Sequence, residues 1–367
     1  MEVTMSKVLM KGNEAIGEAA IRAGCLNYFA YPITPQSEVA EYLSHRMPEV
    51  NGVFLQGESE VAVGYMIFGA SACGARVMTT SSSPGISLMS EAISYIACAQ
   101  CPAVFVNIMR GGPGLGGILP SQGDYFQATK GGGHGDYRLL VLAPASVQEA
   151  VEMVMMAFPL AEKYRNPVMI MGDGLIGQMM EPVYFPDNLK TEQLNTDSWA
   201  TSGMSTRHST TRNLVKSLYL DPAQLNAHNL HLKAKYDQMK AEEIRYEPCN
   251  MESDYKALIV SYGTMSRVCR TAIANLKAEG IDVAMIRPQT LFPFPEAAIR
   301  QAAAKESCGV VISIEMSMGQ MVEDVERSVR GQKPVQWYGK CGGEVPTPEE
   351  IMDVVQSFIT SARKEQN

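Results

Sequence analysis

The chain has 367 residues with 31 basic and 39 acidic side chains, a net charge of −8, and only 19% charged residues, against roughly 25% in an ordinary soluble domain. An acidic chain without basic runs or interleaved aromatics argues against nucleic acid as a partner, and Lys7, Lys11 and Glu14 interrupt any apolar leader near the start. Eight cysteines without small-scaffold spacing point to reduced thiols and a cytoplasmic location, and the longest uncharged run, 92–109, holds Gln100, Pro102 and Asn107, so no membrane span is expected.

Residues 12–23 carry Ala15, Ile16, Ala19 and Ala20 at helical spacing, with Gly24 placed as a stop. A strand over 26–30 is broken by Pro32 and Pro35. A helix over 38–47, a strand over 52–56, a helix over 59–71 and a strand over 76–80 follow. Ser81-Ser82-Ser83-Pro84-Gly85 turns the chain into a helix running to about Ala99, and further strands fall at 103–108, 139–142 and 168–171. Strands alternating with helices imply a mostly parallel sheet covered on both faces. Pro182 and Pro186 close this unit, and the Ser/Thr-rich stretch 196–213 reads as an extended connector. A charged helix over 222–246 ends near Pro248. Beyond 255 come a strand over 257–261, a helix over 266–279 and strands over 283–286 and 310–314. The last helix opens with Thr347-Pro348-Glu349-Glu350, a capping box with proline at the first helical position. The expected organisation is α/β throughout: one domain over 1–187, a connector with a helix over 188–254, and a second domain over 255–367.

From Val61 to Gly123, 63 residues, the only charges are Arg76, Glu91 and Arg110. No solvated face is built from that, so the stretch is expected to lie in a core or against another chain. A buried pair is the default for Arg76 and Glu91. Three motifs mislead. Gly112-Pro113-Gly114-Leu115-Gly116-Gly117 spells the dinucleotide fingerprint, but Pro120 interrupts the helix that should follow, and Asp136, the nearest acid at a suitable spacing, precedes a strand rather than ending one. The loop reads instead as backbone that must approach something closely. Cys98 and Cys101 lack the second pair a zinc site or cluster needs and read as core thiols, while His228 and His231 read as surface residues. Gly172-Asp173-Gly174 opens like a diphosphate–magnesium motif but lacks the downstream asparagine, which puts Asp173 at a loop mouth. No complete metal site is expected in this chain.

Three residues carry the chemistry better. Thr34, in Tyr31-Pro32-Ile33-Thr34-Pro35, stands on a proline-fixed turn at a helix N-terminus, which favours a carboxylate. Arg110 ends a predicted strand, where parallel sheets bind ligands, and needs Glu91, the Glu58/Glu60 pair or an anionic ligand as partner. Arginine suits a carboxylate through two parallel hydrogen bonds. Glu60 opens the apolar 59–71 helix. Partial burial there raises a carboxylate's pKa and suits proton exchange with a heterocycle.

At this point the sequence resembles the alpha-type subunit of 2-oxoacid:ferredoxin oxidoreductases, especially the branched-chain (2-oxoisovalerate, 3-methyl-2-oxobutanoate) type. The matching stretches are MKGNEAIGEAAIRAG (10–24), YPITPQSE (31–38), ESE (58–60), SSSPGISLMSE (81–91), VNIMRGGPGLG (106–116), PSQGDYFQATKGGGHGDYR (120–138) and RNPVMIMGDG (165–174), continued by MSMGQMVEDV (316–325) and YGKCGGEVPTPEEI (338–351). The resemblance spans nearly the whole chain and is weakest over 187–255. It implies a pyrimidine-type thiamine diphosphate-binding parallel-sheet domain followed by a transketolase C-terminal-like α/β domain. It also implies oxidative decarboxylation of a 2-oxoacid to acyl-CoA, with electrons passing to ferredoxin. On that resemblance Glu60 is the catalytic contact to the cofactor's aminopyrimidine ring, and Thr34 with Arg110 holds the substrate carboxylate. Gly112, Gly114, His134 and Asp136 belong to loops that approach the site, and Glu315 and Gln320 serve assembly. Thiamine diphosphate is shared with a beta-type subunit that carries the diphosphate half and Mg2+, and iron–sulfur clusters lie on a ferredoxin-like subunit. Competing expectations are 2-oxoglutarate or pyruvate as substrate, a non-catalytic assembly module, and a self-contained dinucleotide enzyme. A second substrate carboxylate needs another cation, and the charge-poor stretch offers only Arg76.

Overall fold

A computed structural model describes residues 7–186, 195–204 and 210–366. The first part of the chain gives β1 (Val8–Lys11), α1 (Gly12–Arg22), β2 (Asn27–Ala30), α2 (Ser37–Glu49), β3 (Val53–Gln56), α3 (Glu60–Ala72), β4 (Val77–Ser81), α4 (Ser83–Cys98) and β5 (Ala103–Met109). Then come α5 (Tyr125–Thr129), β6 (Leu140–Leu142), α6 (Val147–Tyr164), β7 (Pro167–Asp173), α7 (Gly174–Gln178) and β8 (Met180–Val183). The expected boundary at 187/188, and residues 205–209 of the expected connector, lie outside the described residues. After α8 (Pro222–Glu242) and β9 (Tyr246–Cys249) the chain forms β10 (Ala257–Val260), α9 (Gly263–Ala278), β11 (Val283–Pro288), β12 (Thr290–Phe292) and α10 (Glu296–Ala303). It finishes with β13 (Val310–Glu315), α11 (Met321–Val329), β14 (Val335–Gly339) and α12 (Pro348–Gln366).

A seven-stranded sheet runs β12-β6-β7-β5-β4-β2-β3, parallel except for β12, and a five-stranded sheet runs β14-β13-β10-β11-β9, parallel except for β9. β5 and β7 are buried at every residue, as continuous apolar runs in the middle of a parallel sheet must be. On one face of the first sheet α1, α2 and α6 enclose a core that holds Ile16, Leu43 and Val154. On the other face, α3 and α4 share a second core that runs on through Tyr125 and Tyr262 into the five-stranded sheet and α11. α9 and α12 cover the far side of that sheet.

Two expectations change. The helix expected over 222–246 stops at Glu242, and Tyr246–Cys249 becomes an edge strand paired with β11. Pro248 is tolerated there because an edge strand leaves an N–H without a ladder partner. β12, from the C-terminal half of the chain, crosses over to close the first sheet beside β6. The capping box at the last helix forms as read: Glu350 N–H donates to Thr347 Oγ1 at 3.3 Å, and Thr347 N–H donates to the Glu350 carboxylate at 2.9 Å.

Candidate active site

In the first sheet the chain moves outward from β2 to β3, then returns across β2 to β4. This reversal makes a switch point, and parallel sheets open a crevice outside the carboxyl ends of the strands at such a point. The turn 31–36 follows β2, Glu60 follows β3, Ser81–Ser83 end β4, and Arg110 follows β5. Thr34, Glu60 and Arg110 are thus delivered to one edge of the sheet by the carboxyl ends of β2, β3 and β5, with β4 between β2 and β5.

Arg110 is 9% exposed, yet among the described residues it forms no ion pair. Its Nη1 donates to the Thr34 carbonyl at 2.8 Å and its Nη2 to the Leu115 carbonyl at 3.2 Å, while Nε is buried without a partner. None of the carboxylates considered for it is engaged. Glu91 is exposed on α4 and accepts from Tyr95 Oη at 2.7 Å. The Arg110 backbone is pinned by Ser83, whose Oγ accepts from Arg110 N–H at 3.1 Å. Ser83 Oγ also lies 2.6 Å from Asp124, and Asn107 Nδ2 donates to the same Asp124 oxygen at 2.8 Å. Burial pushes the Asp124 carboxyl above its ordinary value, against the pull of those two hydrogen bonds and of the Arg110 charge.

Beyond Arg110 the glycine-rich loop folds back onto its own base. Gly111 N–H donates to the Leu119 carbonyl at 3.1 Å, and Gly117 N–H donates to the Gly111 carbonyl at 2.8 Å. A Cβ on Gly116, at φ +55°, would sit 1.8 Å from that same carbonyl. Close approach of backbone, rather than a dinucleotide, accounts for that glycine. Gly112 and Gly114 lie on this exposed loop beside Arg110.

Glu60 is the first residue of α3, which Ser59 caps by accepting from Ala62 N–H at 3.2 Å. It is 8% exposed, and its carboxylate has no hydrogen-bond partner among the described residues. A Cβ added to Gly85, in the first turn of α4, would lie 2.9 Å from Glu60 Oε1 and 2.1 Å from Ser81 Oγ. The Ser81 and Ser82 hydroxyls are also buried and without partners. Buried polar groups are otherwise satisfied in native proteins. An unpartnered carboxylate among unpartnered hydroxyls therefore marks a place shaped for a polar ligand, and it suits the edge of a nitrogen heterocycle. The same turn of α4 touches Arg110 through Ser83 and Glu60 through Gly85.

Thr34 is exposed on the turn before α2, whose N-cap is Gln36. The turn is fixed from behind, because Asn13 Nδ2 at 2.8 Å and Gln178 Nε2 at 3.1 Å both donate to the Pro35 carbonyl. Gln36 is fully buried and accepts from Thr80, which bonds Tyr28 at 2.6 Å.

Other candidates lie elsewhere. His134 and Asp136 are exposed on a loop laid along α4, where Ser94 Oγ donates to the His134 carbonyl at 2.7 Å and the imidazole meets Tyr95 edge-on. Ser94 is eleven residues beyond Ser83 along α4, about 16 Å at helical rise. Arg76 precedes β4 and is clasped by Glu162 of α6, not by Glu91, with Nη2 at 2.9 Å and a second bond through Nε. Asp173 is no loop mouth: it is buried and caps α7, accepting from Leu175 and Ile176 N–H at 2.9 and 3.2 Å. Glu315 accepts from Gln320, Met321 and Val322 N–H at 2.9–3.0 Å, and so seals the start of α11. Gln320 donates to the Gly123 carbonyl at 2.6 Å and ties that helix to the first unit. Cys101 is core, its thiol pushed up to about 12 by burial, and Cys98 is half-buried. His231 is exposed and His228 is half-exposed, its Nε2 lying 2.8 Å from the Cys98 carbonyl. Sequence reasoning missed Ser83, Asn107 and Asp124. Their signal was Asp124 itself, the first charge after the charge-poor stretch.

Residues 18–247 match the family described as pyruvate flavodoxin/ferredoxin oxidoreductase, thiamine diphosphate-binding, and residues 256–351 match pyruvate:ferredoxin oxidoreductase core domain II. The ketoisovalerate oxidoreductase subunit VorB of Methanothermobacter thermautotrophicus is 46% identical over 352 residues, covering 96% of this chain and 98% of that protein. The 2-oxoglutarate:ferredoxin oxidoreductase from Magnetococcus marinus, solved with 2-oxoglutarate, coenzyme A and succinyl-CoA bound, superposes with a TM-score of 0.83 at 28% identity over 97% of this chain and 66% of that one. A split-gene transketolase superposes at 0.58 and 15% identity, over 96% of this chain and 98% of that one, a likeness of fold alone.

Proposed function

This chain belongs to the pyruvate flavodoxin/ferredoxin oxidoreductase family, and from that membership we propose that it is the alpha-type subunit of a thiamine diphosphate-dependent 2-oxoacid:ferredoxin oxidoreductase. Its substrate on this reading is 3-methyl-2-oxobutanoate, converted with coenzyme A to acyl-CoA and carbon dioxide while ferredoxin is reduced. The observation that carries the reading is Arg110, a buried guanidinium with no carboxylate partner and a free Nε, joined through the first turn of α4 to an unpartnered Glu60 carboxylate.

Arg110 receives the C1 carboxylate of the 2-oxoacid, with the Thr34 hydroxyl beside it, because an unpaired buried guanidinium gains most from a bidentate anion. Glu60 holds a proton against the ring nitrogen of the aminopyrimidine, and the missing Cβ of Gly85 leaves its carboxylate room. When bound, thiamine diphosphate supplies a nucleophilic carbon and an electron sink. Gly112 and Gly114 border the carboxylate end of the crevice. His134 and Asp136 stand at its distant margin. Arg76 is held by Glu162 at the opposite end of β4, so the charge-poor stretch brings one cation to the crevice, which favours an apolar substrate tail over a second carboxylate.

The partners on this reading are a beta-type subunit that supplies the diphosphate half with Mg2+, a ferredoxin-like subunit bearing iron–sulfur clusters, and ferredoxin itself. Among the described residues no helix is long and apolar enough to cross a membrane, and we place the complex in the cytoplasm. The test is the native complex, purified without oxygen and assayed for coenzyme A-dependent viologen reduction. The highest kcat/KM is expected with 3-methyl-2-oxobutanoate. Preference for 2-oxoglutarate or pyruvate overturns the substrate, and activity of this chain alone without thiamine diphosphate overturns the function.

A further inference from the structure

At the end of the first sheet remote from the crevice, a cleft of about 380 Å³ opens among the C-terminus of α4, the C-terminus of α6 and the segments around 198–199 and 212–219. β5 separates the two ends, and its seven residues span about 20 Å. The cleft is lined by Arg165, Arg212, Lys216 and His228 with Trp199 and Tyr219, and no Asp or Glu is among its described lining residues. Neither Arg165, Arg212 nor Lys216 forms an ion pair among the described residues. Directly beneath, Lys235 donates to the Arg165 carbonyl at 3.2 Å and it too lacks a carboxylate. Burial, and then the Arg165 charge, push the Lys235 ammonium down to about 7. Burial, with the nearby His231, Lys235 and Lys216, also holds His228 below its ordinary value.

Three cationic side chains converging on one acid-free cleft create a positive potential that an anion would complete. The backbone adds an independent sign. Arg165 ends α6 at φ +45°, a left-handed conformation that glycine or asparagine normally fills. The position nevertheless carries a long side chain, whose guanidinium lies 4.5 Å over the Trp199 ring and whose Nε donates to the Gln100 carbonyl at 3.0 Å. That geometry holds the guanidinium rigidly at the cleft wall.

We propose that this cleft is a second ligand site, taking a phosphate-type anion between Arg165, Arg212 and Lys216, with the His228 ring held at its floor by Tyr219 and the Cys98 carbonyl. The anion comes either from free phosphate or pyrophosphate, or from the phosphate groups of a nucleotide. The site is separate from the crevice and acts as a regulatory or stabilising one.

The test uses the assembled native complex. Isothermal titration with phosphate, pyrophosphate, ADP and coenzyme A is run at constant ionic strength, with chloride as the control anion. Binding of at least one phosphate compound is expected, with affinity reduced at least tenfold in the Arg212→Glu/Lys216→Glu variant. Both side chains are exposed, so the variant keeps its fold, and its activity at saturating 2-oxoacid should remain that of the wild type. Tight binding of pyrophosphate and ADP alike identifies the phosphates as the ligand, whereas binding of ADP but not pyrophosphate assigns a nucleotide. No binding beyond the chloride control overturns the proposal. So does binding that survives the double variant unchanged, or cross-linking of Lys216 to a carboxylate of a partner subunit, which would make the cleft a protein interface.

Discussion

Arg110 spends its guanidinium on two backbone carbonyls and leaves Nε unpaired in a buried place. Both carbonyls belong to turns rather than to acids, so the positive charge stays available for an incoming carboxylate. Removing it deletes charge-assisted hydrogen bonds worth about 2–3 kcal/mol together, which is about a 30- to 150-fold loss of kcat/KM. Arg110→Ala should show that loss mostly in KM for the 2-oxoacid, with Arg110→Lys recovering only part because an ammonium lacks the fork. Steady-state kinetics of the complex decide it, and an unchanged KM sinks the assignment. Glu60 is expected to behave differently, since its job is a proton rather than a binding contact. Glu60→Gln should slow hydrogen–deuterium exchange at C2 of the bound cofactor by roughly 10²- to 10⁴-fold and leave substrate affinity nearly as it was. Exchange at the wild-type rate would remove Glu60 from the chemistry.

At the scale of elements, the pair that matters for stability is Arg76 before β4 with Glu162 on α6. Both are buried, doubly hydrogen-bonded, and Arg76 Nη1 also donates to the Ala23 carbonyl at 2.6 Å, so one side chain joins β4, α1 and α6. Taking the arginine away from buried Glu162 in Arg76→Met should cost about 3–5 kcal/mol. The Arg76→Met/Glu162→Met double variant should lose less, because neither charge is stranded. Denaturant unfolding of the two variants measures the difference, and equal losses would contradict it. This pair also shows where sequence reading stops. The strands and helices from α1 to β5 follow from periodicity and from Pro/Gly punctuation, and Thr34, Glu60 and Arg110 stand out by their places at the end of a strand or the start of a helix. Arg76 was legible as needing a partner, but its partner lies 86 positions away in sequence, on a helix that carries Pro159 in its interior and so breaks the helical signal. β9 and β12 are hidden for a related reason. Four and three residues long, they are defined by the sheet edges they complete rather than by a pattern of their own.

The whole molecule joins its two sheets through a continuous polar seam. Gln122 exchanges hydrogen bonds with Met316, accepting from Met316 N–H at 2.9 Å while its own N–H donates to the Met316 carbonyl at 2.8 Å, and its side chain donates to the Tyr262 carbonyl at 2.9 Å. Tyr125 donates to Asp324 at 2.6 Å, and Arg287 grips Glu149 at 2.7 and 2.8 Å. The chain therefore presents one rigid wall to whatever completes its crevice. α3 forms much of that wall, and it is apolar on every face: Val63 and Ile67 enter the core, whereas Val61 and Tyr65 are 41% and 39% exposed, with Leu88 of α4 at 53% alongside. A helix that is hydrophobic all round is stable only when both sides are covered, and contiguous exposed apolar surface marks an interaction site. Glu60 begins this same helix, so a partner seated on its outer face would also close the crevice over the carboxylate. Val61→Glu/Tyr65→Glu places two charges on that face without entering the core. The variant chain should keep its circular dichroism and unfolding midpoint, yet co-purify with its partner subunits poorly and lose most of the complex's activity. Mass determination of the native assembly reads the first effect and viologen reduction the second. A variant that assembles and turns over like the wild type would mean that α3 faces solvent in the enzyme, and that the 63 charge-poor residues are covered by something other than the subunit that completes the site.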